Sequence, residues 1–336
     1  MNGTTLAIYI VGAVVINNAA LTDKIGIFSD LVVFMAYAMN ILTAFMMLSM
    51  IFIIMPRAQV SADRINEILD TEVRIKDGTL EKLPEEKGTI EFRNVTFAYP
   101  DAEEPVLENI SFKADKGETI AFIGSTGSGK STLINLIPRF YDVTAGEVLV
   151  DGVNVKEYKQ KDLRAKIGYV SQKAILFKGT LKANVAYGDF GNADPERISH
   201  ALQVAQGGDI LNKEGGIDGA VSQGGSNFSG GQKQRISIAR AIYKNSEIFI
   251  FDDSFSALDY KTDKALRAAL KEETNDATIC IVAQRIGTIK DADKIVVLDE
   301  GKVVGMGRHA ELLDSCEVYR QIAYSQLSKE ELANAR

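Results

Sequence analysis

The sequence predicts an α/β domain preceded by a transmembrane α-helix. A run of 25 uncharged residues, from Leu31 to Met55, is long enough to cross a bilayer. A glycine-rich stretch, Gly124 to Ser131, separates an apolar strand pattern from a helical pattern. A second apolar strand pattern, IFIF, ends in two carboxylates at positions 252 and 253. These three observations place strands and helices in one domain behind the apolar run.

The composition excludes several other classes. The chain has 336 residues, 46% hydrophobic and 25% charged, which excludes disordered, collagen-like and disulfide-built proteins. A net charge of −7 disfavours bulk attraction to nucleic acid, so we expect no nucleic-acid partner. The two cysteines, Cys280 and Cys316, lie far apart in sequence and indicate a reducing compartment. The two histidines leave little room for a histidine-rich metal site; His309 is predicted to start a helix and His200 to occupy an ordinary helix position.

The apolar run is the strongest feature of the N-terminal part. A buried core helix is the alternative, but such helices rarely run this long without a charge. A signal peptide fits less well, because no basic region precedes the run. Upstream, residues 6–16 are apolar but too short to span, and we expect them to end another helix, with a short loop over 17–28. Arg57 and Arg64 follow the run closely, which places the rest of the chain in the cytoplasm.

The chain organisation follows from these patterns. Residues 1–56 are predicted to be an incomplete membrane domain, because one span and a stump cannot form a pathway; we expect the chain to be a fragment of a larger membrane protein. Residues 57–88 are predicted to be a cytoplasmic helix extension and a linker, since Ile65, Ile68 and Leu69 have helical spacing and Pro84 and Gly78 follow. The cytoplasmic domain is predicted over 89–336.

The glycine-rich stretch GSTGSGKS matches G-x-x-x-x-G-K-[ST] between the strand TIAFI and the helix STLINLI. Its glycines allow backbone N–H groups to surround phosphates, Lys130 can reach the β- and γ-phosphates, and the Ser131 hydroxyl can bind Mg²⁺. A mere glycine-rich turn is the alternative, and the strand–loop–helix context disfavours it. The residues predicted to hold the nucleotide here are Gly124, Ser125, Thr126, Gly127, Ser128, Gly129, Lys130, Ser131 and Thr132.

The strand EIFIFDD supplies a second predicted Mg²⁺ ligand, Asp252. An aspartate that ends a strand is common. The position of Asp252 just before SFSALD favours its assignment as a Mg²⁺ ligand. We expect this strand to lie beside the strand that precedes the glycine-rich loop.

Five further features carry a family resemblance. NFSGGQ (227–232), followed by KQRISIARAI, resembles the signature motif of ATP-binding cassette (ABC) proteins. YVSQ, ending at Gln172, resembles their Q-loop, and SALD (256–259) their D-loop. Tyr99 lies where the family places an aromatic residue on the adenine ring. The segment 175–188 is similar to the one that follows the Q-loop in exporters.

The resemblance implies an ABC nucleotide-binding domain with the P-loop NTPase fold. A RecA-like core would hold 119–171 and 236–300, an antiparallel β subdomain 89–118 with the 146–155 hairpin, and a helical subdomain about 174–235. The chain from Arg308 is predicted to be helical, with Leu312 and Leu313 on an apolar stripe. By analogy with exporters, residues 31–55 would be the sixth membrane helix and residues 1–16 the end of the fifth, in a multi-pass protein of the cell membrane. Importer cassettes are disfavoured, and coiled-coil DNA-repair cassettes are excluded.

The resemblance also implies partners and cofactors. Two cassettes enclose two ATP molecules with Mg²⁺, and each ATP contacts the P-loop of one cassette and the signature of the other. Gln172 is implied to act at the metal and in catalysis. The residues implied to serve the partner's nucleotide are Ser229, Gly230, Gly231 and Gln232. The lipid bilayer and an unidentified exported substrate complete the expected partners.

Three positions depart from the family pattern. Asp253 stands where the catalytic Glu is usual, and is one methylene shorter; Gln284 replaces the switch histidine and cannot titrate like imidazole. Gln223 replaces an acid ahead of the signature, which puts the contact with the membrane domain in doubt. Because the signature is intact, the pattern resembles the degenerate half of a heterodimeric exporter, whose own site hydrolyses ATP poorly. A homodimeric exporter with unusual active residues and a non-hydrolysing regulatory subunit are the alternatives.

Overall fold

The computed structural model describes residues 2–85, 87–100, 102–189, 193–274 and 276–327. The chain divides into two compact units, Met1–Arg74 and Ile75–Arg336. The α-helices are α1 (Asn2–Asn18), α2 (Lys24–Leu69), α3 (Lys130–Leu136), α4 (Gln160–Ala165), α5 (Leu181–Val185), α6 (Pro195–Val204), α7 (Gly208–Leu211), α8 (Gly230–Lys244), α9 (Tyr260–Glu273), α10 (Ile286–Ile289), α11 (His309–Ser315) and α12 (Glu317–Gln326).

Within the described ranges the strands belong to three sheets. They are β1 (Ile90–Phe97), β2 (Leu107–Ala114), β3 (Thr119–Gly124), β4 (Ala145–Val150), β5 (Val153–Asn154), β6 (Ile167–Val170), β7 (Gly179–Thr180), β8 (Ala220–Val221), β9 (Ile248–Asp252), β10 (Thr278–Val282), β11 (Lys294–Asp299) and β12 (Lys302–Gly307). Two short 3₁₀ helices, Gly216–Asp218 and Gln223–Gly225, precede the signature.

The first unit contains α1 and α2. Among the described helices only α2 is long and apolar enough to cross a membrane, a statement of length and composition, and none of its residues is buried. It continues through Pro56, as the predicted helix extension requires. The loop expected over 17–28 is wrong in its bounds, because α1 runs to Asn18 and α2 begins at Lys24. A helix satisfies its own backbone groups, so it extends past the apolar stretch to include Lys24 and Asp30.

The antiparallel sheet of the second unit has the order β2-β1-β4-β5. On β1 the buried positions change phase, from Ile90 and Phe92 to Val95 and Phe97. The register with β2 shifts between Phe92 and Val95, where Asn94 has φ +49°. A bulge adds one residue to one strand and so moves the following side chains to the other parity. This explains the broken alternation in the sequence.

The central sheet has the order β12-β11-β3-β10-β9-β6, parallel except for β12. The expectation that β9, which ends at Asp252, lies beside the P-loop strand β3 is wrong, because β10 lies between them. Strands buried on both faces have continuous apolar sequences, and β9 and β10 are both of this kind. Their sequences therefore carry no signal for lateral order.

Side chains from the two faces of the central sheet enter two different cores. On β9, Phe249 and Phe251 pack with the helical insert and the C-terminal helices, whereas Ile248 and Ile250 pack with the antiparallel sheet and α3. Leu312 and Leu313 of α11 belong to the first of these cores, as their apolar stripe predicts. The sheet thus lies between the subdomains that carry the predicted site residues.

Within the second unit, the segment around Gly78 and Leu80 packs against the stretch that leads into α4. The N–H groups of Gly78 and Leu80 donate to the carbonyls of Tyr158 and Glu157, at 2.9 Å each. The Asp77 carboxylate accepts from the Gln160 N–H at 2.9 Å and thereby caps the start of α4. A Cβ at Gly78 would lie 2.0 Å from the Glu157 oxygen, so this approach requires glycine.

Candidate nucleotide site

The predicted P-loop joins β3 to α3, as the sequence pattern requires. At Gly124 a Cβ would lie 1.9 Å from the Leu298 carbonyl oxygen of β11. At Gly129, which has φ +93°, it would lie 2.6 Å from a Leu107 methyl. Both positions accept only glycine, because other side chains would displace the neighbouring backbone or core. The loop therefore makes the tight turn between β3 and α3 that a phosphate-binding loop requires.

The loop has a buried base and an accessible rim. Ser128 and Gly129 are buried, whereas Ser125, Thr126 and Gly127 are exposed. Lys130 Nζ donates to the carbonyls of Gly124 (2.9 Å) and Ser125 (2.6 Å) and to Ser128 Oγ (3.2 Å). Burial lowers the pKa of Lys130, although the negative charges of Asp253 and Asp252 oppose it. A confined ammonium ion within an accessible loop fits a phosphate group.

Two oxygen ligands suited to Mg²⁺ lie together beside this loop. The Ser131 hydroxyl donates to Asp252 Oδ1 at 2.9 Å, which joins the start of α3 to the end of β9 across β10. Burial raises the pKa of Asp252, which is 7% exposed, and the Asp253 charge adds to the effect. A divalent cation would favour the ionised carboxylate, and Mg²⁺ takes its other ligands from water and phosphate. The residues present therefore fit Mg²⁺ bound to a nucleotide.

The three predicted catalytic side chains converge on one atom. Asp253 Oδ2 accepts hydrogen bonds from Gln284 Nε2 at 2.9 Å and Gln172 Nε2 at 3.3 Å. Asp253 is 9% exposed, has φ +46°, and donates its N–H to the Val282 carbonyl at 2.9 Å. Burial raises the pKa of Asp253, and hydrogen bonds from the two glutamines lower it only in part. The Asp253 carboxylate is therefore buried and already accepts hydrogen bonds from two amides.

Tyr99 lies just after the end of β1 and is half-buried. Its hydroxyl is 3.0 Å from Thr132 Oγ1, which connects it to the P-loop helix. The ring packs edge-on against Tyr141, with centroids 5.2 Å apart, and against Phe97 at 5.0 Å. Tyr141 was missed by sequence reasoning, since an aromatic residue in the turn after α3 is an ordinary core signal. The two tyrosines form an aromatic wall beside the P-loop.

The signature residues start α8, which the helical insert carries. Ser229 and Gly230 are exposed. Ser229 caps the helix in a reciprocal capping box with Gln232: Ser229 Oγ accepts from the Gln232 N–H, and Gln232 Oε1 accepts from the Ser229 N–H. A Cβ at Gly231 would lie 3.3 Å from the Ala257 oxygen of the SALD segment. The signature and the predicted D-loop are therefore neighbours within the chain.

The remaining predicted positions are in ordinary surroundings. His309 starts α11 and its Nδ1 is 2.6 Å from the Tyr319 hydroxyl, as a helix-start residue. His200 lies within α6 and pairs with Glu273 at 2.9 Å. Gln223 is exposed in the second 3₁₀ helix. The two histidines thus have partners away from Gln284, the position of the missing imidazole.

Comparisons with known proteins agree with this geometry. Residues 107–256 match the family described as ABC transporter. An uncharacterised ABC transporter ATP-binding protein of Mycobacterium tuberculosis is 45% identical over 303 residues, which are 88% of this chain and 52% of that protein. An ATP-dependent lipid A-core flippase of Aliivibrio fischeri is 42% identical over 267 residues, 79% of this chain and 46% of the flippase.

A solved structure of a bacterial Atm1-family ABC exporter with ATP bound is 30% identical, with a TM-score of 0.77, and the match covers 92% of this chain and 53% of the exporter. The chain spans about half the length of the curated relatives it matches. The matched family, the relatives and the glycine-rich loop with its serine–aspartate pair agree. The chain carries an ABC transporter ATP-binding domain, which is similar to that of the Atm1-family exporter.

Proposed function

We propose that the protein is the ATP-binding subunit of an ABC exporter whose own P-loop site binds Mg²⁺-ATP and hydrolyses it slowly. In this proposal residues 1–56 belong to a membrane domain, 57–88 extend and link it, and 89–336 form the cytoplasmic ATP-binding domain. The nucleotide would be held by Lys130 and the P-loop backbone, with Tyr99 beside the adenine and Ser131, Asp252 and Gln172 at the metal.

The proposal of slow ATP hydrolysis at this subunit's own site rests on the surroundings of Asp253. An aspartate reaches about 1 Å less far than a glutamate, and a displacement of this size can cost about a hundredfold in rate. Its backbone N–H is fixed to Val282, so the main chain cannot advance to restore the reach. Its Oδ2 already accepts from Gln284 and Gln172, which compete with a water molecule for the same lone pairs. Gln284 can donate to a phosphate but cannot take up a proton.

The intact signature supports a second, faster site on a partner. The capping box fixes Ser229 at the start of α8, a helix of 15 residues, where the positive end of the helix favours phosphate. We propose that this signature completes the ATP site of a different ABC subunit that carries Glu and His. Binding of ATP would close the two cassettes, and hydrolysis at the partner's site would reopen them.

Two other functions remain as alternatives. A homodimeric exporter would use Asp253 and Gln284 as active variants, and a regulatory subunit would bind ATP without any hydrolysis in the complex. The intact signature argues against the regulatory subunit, and the doubly altered site argues against the homodimer. Because several relatives are named lipid A-core flippases, an amphipathic lipid is the first substrate class to test.

The test uses the full-length protein, purified from membranes by a tag on this subunit together with whatever subunit accompanies it. We expect Ser229→Ala to lower the ATPase of the complex at least about a hundredfold, the usual cost of losing a donor to developing charge. Ser226→Ala, an exposed serine just upstream, is the matched control.

Three outcomes contradict the proposal. An active complex unaffected by Ser229→Ala would favour a signature that serves no live site. Equal turnover from this chain alone, with no second kind of subunit, would favour the homodimer. A complex without ATPase activity would favour the regulatory subunit.

A further inference from the structure

Gln232 is held on two sides by residues outside the signature motif. Its Nε2 donates to Asp209 Oδ2 at 2.9 Å, and its Oε1 accepts from Lys213 Nζ at 3.3 Å as well as from the Ser229 N–H at 3.1 Å. Asp209 lies in α7 and Lys213 just after it, about twenty residues before the signature. The helical insert therefore contacts the start of α8 through one amide side chain.

These contacts decide which way the Gln232 amide faces. The two ends of an amide have nearly the same shape, so only hydrogen-bond partners distinguish them. In the reversed orientation Nε2 would face the Ser229 N–H and the Lys213 ammonium, and Oε1 would face the Asp209 carboxylate. Every one of those contacts is repulsive. An acceptor at Asp209 and a donor at Lys213 thus select the orientation that closes the capping box.

Asp209 is itself fixed by Arg235, one turn further along α8. The guanidinium donates to Asp209 Oδ1 at 2.6 Å and Oδ2 at 3.0 Å, a bidentate geometry. The Arg235 side chain is 15% exposed, so this pair is partly shielded from solvent. Burial alone would raise the pKa of Asp209, but hydrogen bonds from Arg235 and Gln232 outweigh it and lower that pKa. The carboxylate is therefore ionised and oriented at neutral pH.

The capping box then sets the role of the Ser229 hydroxyl. Its oxygen accepts from the Gln232 N–H at 3.3 Å. A hydroxyl has one proton to donate, and among the described residues Ser229 Oγ donates to none. The proton is thus available to an acceptor outside the chain, on the exposed side of the helix start.

We infer that Asp209 is a positioning residue, which orients the Gln232 amide and through it directs the Ser229 hydroxyl toward the phosphates of a nucleotide bound by the partner. This inference rests on the proposed function, since it assigns Ser229 to a live site. Lys213 assists by holding the carbonyl end of the same amide. Within the signature motif the Ser229 N–H already favours this orientation, and Asp209 and Lys213 reinforce it from outside the motif.

The first test replaces Asp209 by Asn in the tagged full-length complex. We expect kcat for ATP hydrolysis to fall about tenfold. A displaced Ser229 hydroxyl would stabilise the transition state less, while its effect on the ground state would be smaller. KM, the melting temperature and ATP binding by this subunit's own P-loop should match those of Asp218→Asn. Asp218 lies in the same insert, and its carboxylate makes no hydrogen bond or ion pair with the described residues.

The second test exchanges donor and acceptor. In Gln232→Glu alone, the introduced carboxylate can still accept from the Ser229 N–H but faces the Asp209 carboxylate, and we expect this repulsion to displace the side chain and lower kcat. Adding Asp209→Asn supplies an amide donor to the introduced carboxylate, so the double variant should recover at least about half the kcat lost in Gln232→Glu, a coupling that separates positioning from general stability.

The outcomes are distinguishable. If Asp209→Asn behaves like Asp218→Asn, or if the double variant is no better than Gln232→Glu, the positioning role is wrong. If Asp209→Asn fails to assemble, the double variant decides alone. If Ser229→Ala leaves the ATPase intact, the proposed function fails before Asp209 is tested.

Discussion

The two ATP-facing regions of the domain differ in which of their parts are altered. The P-loop region keeps its backbone turns, Lys130 and the Ser131–Asp252 pair, but carries a short acid and no imidazole. The signature region keeps both its residues and its supporting contacts, from the Ser229 capping box to Asp209. In the proposed function, the geometry that binds phosphate is therefore separable from the side chains that activate water. We expect one region to hold ATP and the other to serve hydrolysis.

The largest expected effect comes from restoring the first region. Asp253→Glu with Gln284→His advances the carboxylate and supplies a titratable group. We expect ATP turnover at this subunit's own site to rise up to about a hundredfold. The measurement uses a Ser229→Ala background, in which the partner's site is strongly weakened, so that the gain over this background reports this subunit's own site.

Adding Lys130→Ala to that variant is the control and should abolish the gain. An unchanged rate would mean that these two positions do not limit the site. A background rate that is already high and is abolished by Lys130→Ala would mean that Asp253 and Gln284 work as they stand.

The second prediction separates binding from hydrolysis. Lys130→Ala removes a charge-assisted contact to phosphate worth about 1.5–3 kcal/mol, so ATP affinity at this subunit should fall about 10- to 100-fold. Equilibrium binding or photolabelling of this subunit measures it. Ser229→Ala should leave the same binding unchanged, and Lys161→Ala, an exposed lysine on α4, is the matched control. Equal loss of binding in both variants would remove the distinction between the regions.

The smallest effect concerns stability against pH. Because the pKa of Asp253 is raised in the folded protein, ionisation of this group costs folding free energy that is absent below the unfolded pKa of about 3.9. Asp253→Asn should therefore raise the melting temperature at pH 7. The advantage should shrink as pH falls toward 4 and level off above the folded pKa. Asp218→Asn should show no such trend, and a lower melting temperature for Asp253→Asn at pH 7 would contradict the prediction.

Local patterns in the sequence predicted the P-loop between a strand and a helix, and the start of a helix at Ser229. Both depend on residues within one turn of each other. The lateral order of the central sheet was not predictable in this way, because TICIV and IFIFD are equally apolar and either could have been the neighbour of β3. The same holds for Asp209, whose contact with Gln232 joins two helices and leaves no periodic signal. In the sequence, the bulge at Asn94 appears only as a shift of the apolar positions of β1 from even to odd residue numbers.

The strand between β3 and β9, which is β10, sets the distance between those two strands. Neighbouring strands are spaced about 4.8 Å apart, so the backbones of β3 and β9 lie about 10 Å apart, and the Ser131 and Asp252 side chains meet across that distance. At the C-terminal end of β10, Val282 pairs with Asp252, and Gln284 follows two residues later. Substitutions at 253 or 284 change what lines this gap and leave its width as it is. The catalytic side chains of a nucleotide site can thus change while the strand spacing that sets its width stays the same. The site could then accept Glu at 253 and His at 284 without a change in backbone.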